Sequence, residues 1–424
     1  MAVTTSGLAP NAVTSRLRSS LTGTPGMLRA GLAACLVALA LFAWLAANST
    51  VSRRDAIADA RAAASQVVLI QQVHTSLVEA DSLATNAFLV GGIEPAEQRQ
   101  GYESGIAAAS QALATAAGNA SGGDLADLES VNAAIARYTG LIESARANNR
   151  QGFPVGVAYL RQASQLLSNE VLPVLDEVST SSQERVDDAY GDSGSARWGL
   201  WIAAVIVLAA LVACQFLLSR ATRRTINVGL LAGTGLVLVA VVWGGAAMWS
   251  AASTANDARD GPYETTVLLA QGRIDAFSAK SAESLTLINR GNGAAFEEQY
   301  LEHMAAATDA IGRASRDGVA AGVDSDLAAY DDVHQQLRKL DDDGDWDAAV
   351  KIATGFDDFS SNGLFARFDT YSGDALDEQS TELDDRLGDA TGGLGSARIG
   401  VLALALLAAV AVGWGFNLRM KEYR

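Results

Sequence analysis

The sequence predicts an all-α membrane protein: four transmembrane helices with two tandem extracytoplasmic up-down four-helix bundles related by internal duplication. Three observations predict it. Four stretches, 28–48, 198–218, 226–248 and 396–418, are long and apolar enough to cross a bilayer, which takes roughly 20 residues. The stretches between them, 49–197 and 249–395, are almost equal in length and repeat apolar residues at helical spacing. Only 6 prolines occur in 424 alanine- and leucine-rich residues, which suits long helices over short strands.

The tail 1–27 leads into the first span, whose length favours an uncleaved anchor over a signal peptide. Six of the 7 tryptophans (Trp44, Trp198, Trp201, Trp243, Trp249, Trp414) lie in or beside the spans, as interfacial anchors do. Cys35 and Cys214 both sit inside apolar runs, which excludes a disulfide framework for the water-facing parts. The "LAAC" around Cys35 resembles a lipoprotein processing box. Most of the apolar run follows that cysteine, however, so it reads as an ordinary membrane-helix residue.

Orientation comes from short basic segments. The connector 219–225 carries Arg220, Arg223 and Arg224, the tail 419–424 carries Arg419, Lys421 and Arg424, and the N-terminal segment carries Arg16, Arg18 and Arg29. The positive-inside rule places all three in the cytoplasm of a multi-pass plasma-membrane protein, with Arg53 and Arg54 pulling weakly the other way. The cytoplasmic parts then total a few dozen residues, too few for a catalytic domain. The six connector and tail cations become the candidate contacts for a cytoplasmic partner.

Each extracytoplasmic stretch divides at turn signals. In the first these are "GGIEP" (91–95), "GNASGGD" (118–124) and "NNRQGFP" (148–154); in the second they are "RGNG" (290–293), "RDGVAAGVD" (316–324) and "DDDGDW" (341–346). Ile70, Val73, Leu77, Ala80, Ala84 and Ala87 keep an a/d pattern, as do Val267, Ala270, Ile274, Phe277 and Ile288. The halves align: "YESGIAAAS" (102–110) with "YLEHMAAAT" (300–308), and "YTGLIESARANNRQGFPVGVA" (138–158) with "YDDVHQQLRKLDDDGDWDAAV" (330–350). "GSAR" recurs at 194–197 and 395–398, each time entering a span.

The alignment interprets the most acidic stretch of the chain, "DDDGDWDAAV" (341–350). As a calcium loop with Gly344 at position six it fails, because Lys339 and Val350 would fall at ligand positions one and twelve. Its counterpart "NNRQGF" is not acidic. Both share a glycine (Gly152, Gly344) followed by an aromatic (Phe153, Trp346), the pattern of a helix ending in a glycine turn with an aromatic packed beneath it. Asp341, Asp342, Asp343, Asp345, Trp346 and Phe153 are the candidates for docking an extracytoplasmic partner at a membrane-distal tip. The aspartates are expected to serve capture more than stability.

Several functions are disfavoured. A net charge of −17 argues against nucleic acid. His74, His303 and His334 show no metal-ligand spacing and read as surface or helix-face residues; no metal or cofactor is expected. No nucleophile–base pair, phosphate loop or zinc motif occurs, so no catalytic residues are assigned and an enzyme is not expected. The spans hold no ionisable residue apart from arginines at their ends, with Gln215 and Asn227 as polar exceptions near the cytoplasmic side, which argues against transport. Gly229 and Gly233 form a G-x-x-x-G packing motif, and Gly413 and Gly415 lie in the last span. A transmembrane relay remains.

The four-span plan, "TRRTINVGLLAGTGLVLVAVVW" (222–243) and the end "FNLRMKEYR" (416–424) resemble the actinobacterial GlnX family of membrane signalling proteins. The resemblance implies a non-enzymatic adaptor between a glutamine/glutamate-type solute-binding lipoprotein outside and a cytoplasmic Ser/Thr kinase, protein kinase G, inside. Its implied role is to report glutamate or aspartate availability. Membrane lipid and a second copy of the chain are further expected partners, independent of that resemblance. Alternatives are an accessory or structural subunit of a transport complex, or a chemoreceptor-like sensor that binds a small molecule directly.

Overall fold

A computed structural model describes residues 24–90, 94–120, 122–192, 197–222, 227–316 and 318–421. Among these residues every element is helical and there is no strand. In the first half the helices are α1 (Thr24–Val90), α2 (Ala96–Asn119), α3 (Gly123–Arg150), α4 (Val155–Leu166), α5 (Leu172–Asp192) and α6 (Arg197–Thr222). In the second they are α7 (Val228–Ala258), α8 (Glu264–Ile288), α9 (Ala294–Ala314), α10 (Val323–Asp342), α11 (Trp346–Thr354) and α12 (Ser361–Lys421). The chain divides into two compact units: Met1–Ala58 with Ala189–Ala255 and Leu387–Arg424, and Asp59–Asp188 with Asn256–Arg386.

Four helices, α1, α6, α7 and α12, contain windows apolar and long enough to cross a membrane, so the protein is a multi-pass membrane protein. They pack as one bundle in the first unit, through small residues. Gly31 of α1 lies against the Phe416 ring of α12, Gly199 of α6 against Ser49 of α1, and Gly244 of α7 against Leu200 of α6. The outward faces carry exposed Val37, Trp44, Val205, Val242, Leu406 and Val410. In lipid such a surface carries no penalty, and tight small-residue contacts replace the hydrophobic drive between helices. Asn227 closes the start of α7: its side chain accepts from the Gly229 N–H at 3.0 Å and donates to the Gly415 carbonyl at 3.2 Å.

The second unit joins two segments, Asp59–Asp188 and Asn256–Arg386, each contributing most of one apolar core. The predicted stripe Ile70, Val73, Leu77, Ala80 and Ala84 is buried against Leu113, Ile135, Ile142 and Leu160. Ala276 and Phe277 of α8 pack with Ile311, Leu327, Phe365 and Phe368. In each core a tyrosine pair sits at aligned positions, Tyr102–Tyr138 with ring centroids 6.5 Å apart and Tyr300–Tyr330 at 6.2 Å.

Three local features differ from the sequence reading. The last bundle element of the second half is two helices, α11 and α12, separated at Gly355–Ser360. Among the described residues two π-helical turns occur, Leu167–Val171 and Arg259–Tyr263. The first is followed by Pro173 and the second contains Pro262; proline has no N–H to give to the preceding turn, and a wider turn relieves the mismatch. Phe153 is 52% exposed, so the aromatic beneath the first-half turn does not pack as expected.

Candidate functional site

Helix α1 carries two buried faces. The apolar face fills the first core; the other presents Asp81, Thr85 and Asn86 to Ser281 and Ser284 of α8. Asp81 accepts hydrogen bonds from Ser281 Oγ at 2.7 Å, Ser164 Oγ at 2.9 Å and Tyr138 Oη at 3.1 Å. Burial pushes its carboxyl above the usual range, and these three hydroxyls oppose that shift. Asn86 is a second junction: its Oδ1 accepts from Gln98 Nε2 at 2.7 Å and Asn362 Nδ2 at 2.9 Å. A seam of hydroxyls, three amides and one carboxyl thus joins the halves, with its polar groups largely paired.

A chain of charges runs through the second core. Lys280 Nζ lies 2.6 Å from Glu283 Oε1 and also donates to Ser361 Oγ. Glu283 Oε2 is 3.0 Å from His334 Nδ1, and His334 Nε2 is 3.3 Å from Glu297 Oε1. Arg338 Nε then contacts Glu297 at 3.0 Å and reaches Asp341 and Asp342 through its terminal nitrogens. The His334 ring stacks on Tyr300 with centroids 3.4 Å apart. His334 and His74 are therefore core residues, which corrects their reading as surface histidines.

Burial disfavours the His334 imidazolium, but hydrogen bonds to Glu283 and Glu297 outweigh it and raise its pKa. A raised folded-state pKa gives stability that is complete below the unfolded value, about 6.5, and is lost as pH rises through the folded value. The expected result is a thermal midpoint that falls between mildly acidic and alkaline pH. His334→Gln should flatten that slope, as followed by circular dichroism of the full chain in detergent; an equal slope in the variant would remove His334 as its source.

Between the halves lies a cleft of about 350 Å³. Helices α1, α4 and α5 supply His74, Asp81, Arg161 and Asp176; α8 and α9 supply Asp275 and His303. His303 Nδ1 is 2.9 Å from Asp275 Oδ1, and Gln271 donates to the other oxygen at 3.0 Å. Burial holds His74 down at about 4, although Asp275 pulls it up. Burial, then Asp275, pushes Asp176 up. Among the described residues no group of three or more His, Cys, Asp or Glu could hold a metal ion.

Most of the first half of this unit now has a counterpart. Residues 56–191 match the family model described as Actinobacterial sensor domain. This sensor-domain segment, about a third of the chain, includes His74, Asp81 and Asp176 and supports a sensing role. No curated protein and no solved structure matches the chain significantly.

The docking candidates predicted from sequence do not share one surface role. Asp341 and Asp342 both engage Arg338, while Asp343 is exposed at the end of α10. Gly344 takes φ +86°, the left-handed conformation that the turn reading required. Asp345 caps α11, accepting from the Ala348 N–H at 3.3 Å. Trp346 packs as expected: its Nε1 donates to the Leu287 carbonyl at 2.9 Å, and Arg290 lies 3.6 Å over its ring. Asp345→Ala is expected to cost about 1 kcal/mol, the usual worth of such a cap, while Asp343→Ala leaves the midpoint unchanged. Thermal melts of the two variants compare them directly.

Of the cytoplasmic candidates, Arg220 is exposed in the last turn of α6, and Arg419 and Lys421 lie in the last turn of α12. Arg223, Arg224 and Arg424 fall outside the described residues. Gly229 and Gly233 lie at the α7–α12 contact, whereas Gly413 faces open space. Sequence reasoning missed Asp81, Lys280, Glu283 and His334. The available signal was the run "AKSAESLTLI" in α8, where Lys280 and Glu283 stand three apart within a stretch otherwise small or apolar.

Proposed function

We propose that the protein is a non-enzymatic transmembrane adaptor. It relays amino-acid sensing by an extracytoplasmic glutamate- or aspartate-binding lipoprotein to a cytoplasmic Ser/Thr kinase. Both termini are cytoplasmic and the membrane is the plasma membrane. The observation that carries the reading is the continuity of α1 and α12, each a single helix containing both an apolar segment and a segment packed in the helical unit. Such helices can transmit a shift of about 1–2 Å without a break, given a partner that binds one arrangement better.

Internal duplication belongs to the same proposal. Hydrogen bonds between α1 and α8 join residues 196, 198 and 200 apart in sequence. Of the aligned tyrosines, Tyr102 and Tyr300 give the same offset, 300 − 102 = 198, and Tyr138 and Tyr330 a slightly shorter one, 330 − 138 = 192. Equivalent residues facing each other in register are the signature of a twofold relation, as if one chain supplied both halves of a sensor dimer. A symmetric pair offers two near-equivalent arrangements for a partner to bias.

The test is photocrosslinking in native membranes from a crosslinkable amino acid at Trp346 or Phe153, read by mass spectrometry. Capture of a solute-binding lipoprotein, changing with added glutamate or aspartate, supports the adaptor. Capture of transporter subunits alone replaces it with the accessory-subunit reading. No specific capture at either position overturns lipoprotein docking.

A further inference from the structure

The cleft between the halves has a chemistry of its own. Three carboxylates face it, Asp81, Asp176 and Asp275, against one guanidinium, Arg161. Asp81 already accepts from three hydroxyls and is closed to further partners. Asp275 holds one donor on each oxygen, which leaves lone pairs unused on both. Among the described residues His74 is the one ion-pair partner beside the Asp176 carboxylate, at 3.5 Å, longer than a good hydrogen bond, and that carboxylate is 63% exposed.

His74 is the second observation. Its side chain is 7% exposed, yet that distant approach to Asp176 is its nearest charged partner, and the ring lines the cleft. With its pKa held near 4 the imidazole is neutral at physiological pH and keeps an acceptor nitrogen. The wall beside it contains the π-turn Leu167–Val171, which widens the α4–α5 rod where Leu167 and Ser168 meet the cavity. Such turns frequently mark functional sites in helices. Val78, Ile274, Leu285 and Phe296 form an apolar part of the wall, and Gln165, Ser278 and Gln299 add uncharged polar groups beside it.

We propose that this cleft binds a small organic amine, a compact cation whose ammonium group is held by Asp176 and Asp275 and whose carbon chain lies on the apolar wall. An anion would face three carboxylates, and a bare metal ion would lack a ligand cage. An alkylammonium suits both the polar end and the apolar wall. The site draws on both halves, so its occupancy would bias their packing. It deepens the sensing role without depending on a lipoprotein partner.

The test is calorimetry of the full chain in detergent micelles with putrescine as probe. About 0.15 M salt shortens the reach of surface charge to ~8 Å, which matters for a chain of net charge −17. The expected result is saturable single-site binding, absent for the diol of the same length. Asp275→Asn should weaken it about tenfold or more, the worth of a charged hydrogen bond. Ser278→Leu, which narrows the cleft from α8 without changing charge, should do the same even if Asp275→Asn perturbs folding. Asp358→Asn, on an exposed loop, should leave it unchanged. No saturable binding, or binding held within about twofold by both cleft variants, overturns the proposal. Crosslinking from Trp346 and Phe153 does not read this cleft, so failure of one reading leaves the other standing.

Discussion

Glu283→Ala is expected to lower the thermal midpoint of the helical unit by about 10 °C. Glu283 is 0% exposed and holds three partners, Lys280, His334 and Ser361. Burial alone would push its carboxyl up; Lys280 and His334 together overcome burial and hold it down at about 2. Removing the carboxylate leaves the Lys280 ammonium buried without a counter-charge, and breaking such a pair costs about 3–5 kcal/mol. In a unit of this size each kcal/mol moves the midpoint about 2–4 °C.

The double variant Lys280→Met, Glu283→Leu should recover most of the loss, because apolar replacement of both members removes two desolvation costs together. Calorimetric scans of wild type, single and double variants decide it. Equal losses in the single and double variants would show that packing volume, not charge pairing, sets the effect. The pH sign is fixed as well. A depressed folded-state pKa gives stability that is present above the ordinary value of 4.5 and lost as pH falls through about 2. The Glu283 contribution is therefore lost toward acid, while the His334 contribution in the same chain is lost toward alkali.

The membrane plan was legible because an unbroken apolar run of bilayer length seldom occurs in a helix that faces water. The stripe from Ile70 to Ala84 was legible because a core-facing row repeats at helical spacing and nothing else in that stretch competes with it. The seam was not legible, for a physical reason. His74, Asp81 and Asn86 form a polar row, and a polar row facing water has the same sequence signature as one facing a second polar helix. What distinguishes them is Ser281 and Ser284, some 200 residues away. The break before α12 carried local signals, Gly355 and the run "DDFSSNG" (357–363), which match turn-forming residues. Trp346 and Phe153 show the limit of pattern. The same glycine–aromatic pair buries its ring only where Arg290 and the Leu287 carbonyl receive it.

A double cysteine variant, Gly233→Cys with Val412→Cys in a Cys35→Ala, Cys214→Ala background, is expected to form an intramolecular disulfide on mild oxidation. A Cβ placed on Gly233 lies 4.0 Å from the Val412 Cβ, inside the range of about 3.5–4.5 Å that a disulfide spans. Adding Gly229→Val should cut the yield below half. A Cβ there would stand 2.5 Å from both the Ala411 carbonyl oxygen and the Gly415 Cα. Both obstacles are backbone, so no rotamer relieves them and α7 must move off α12. Gel mobility before and after reduction reads both results; an undiminished yield with Gly229→Val would show that the helices tolerate the extra volume. The oxidised parent also probes the relay. If α7 and α12 slide against each other to signal, locking them should freeze kinase-dependent phosphorylation, and reductant should restore it. If phosphorylation still responds when oxidised, that pair moves as one body and α1 and α6 must carry the shift, since no other apolar helix remains among the described residues.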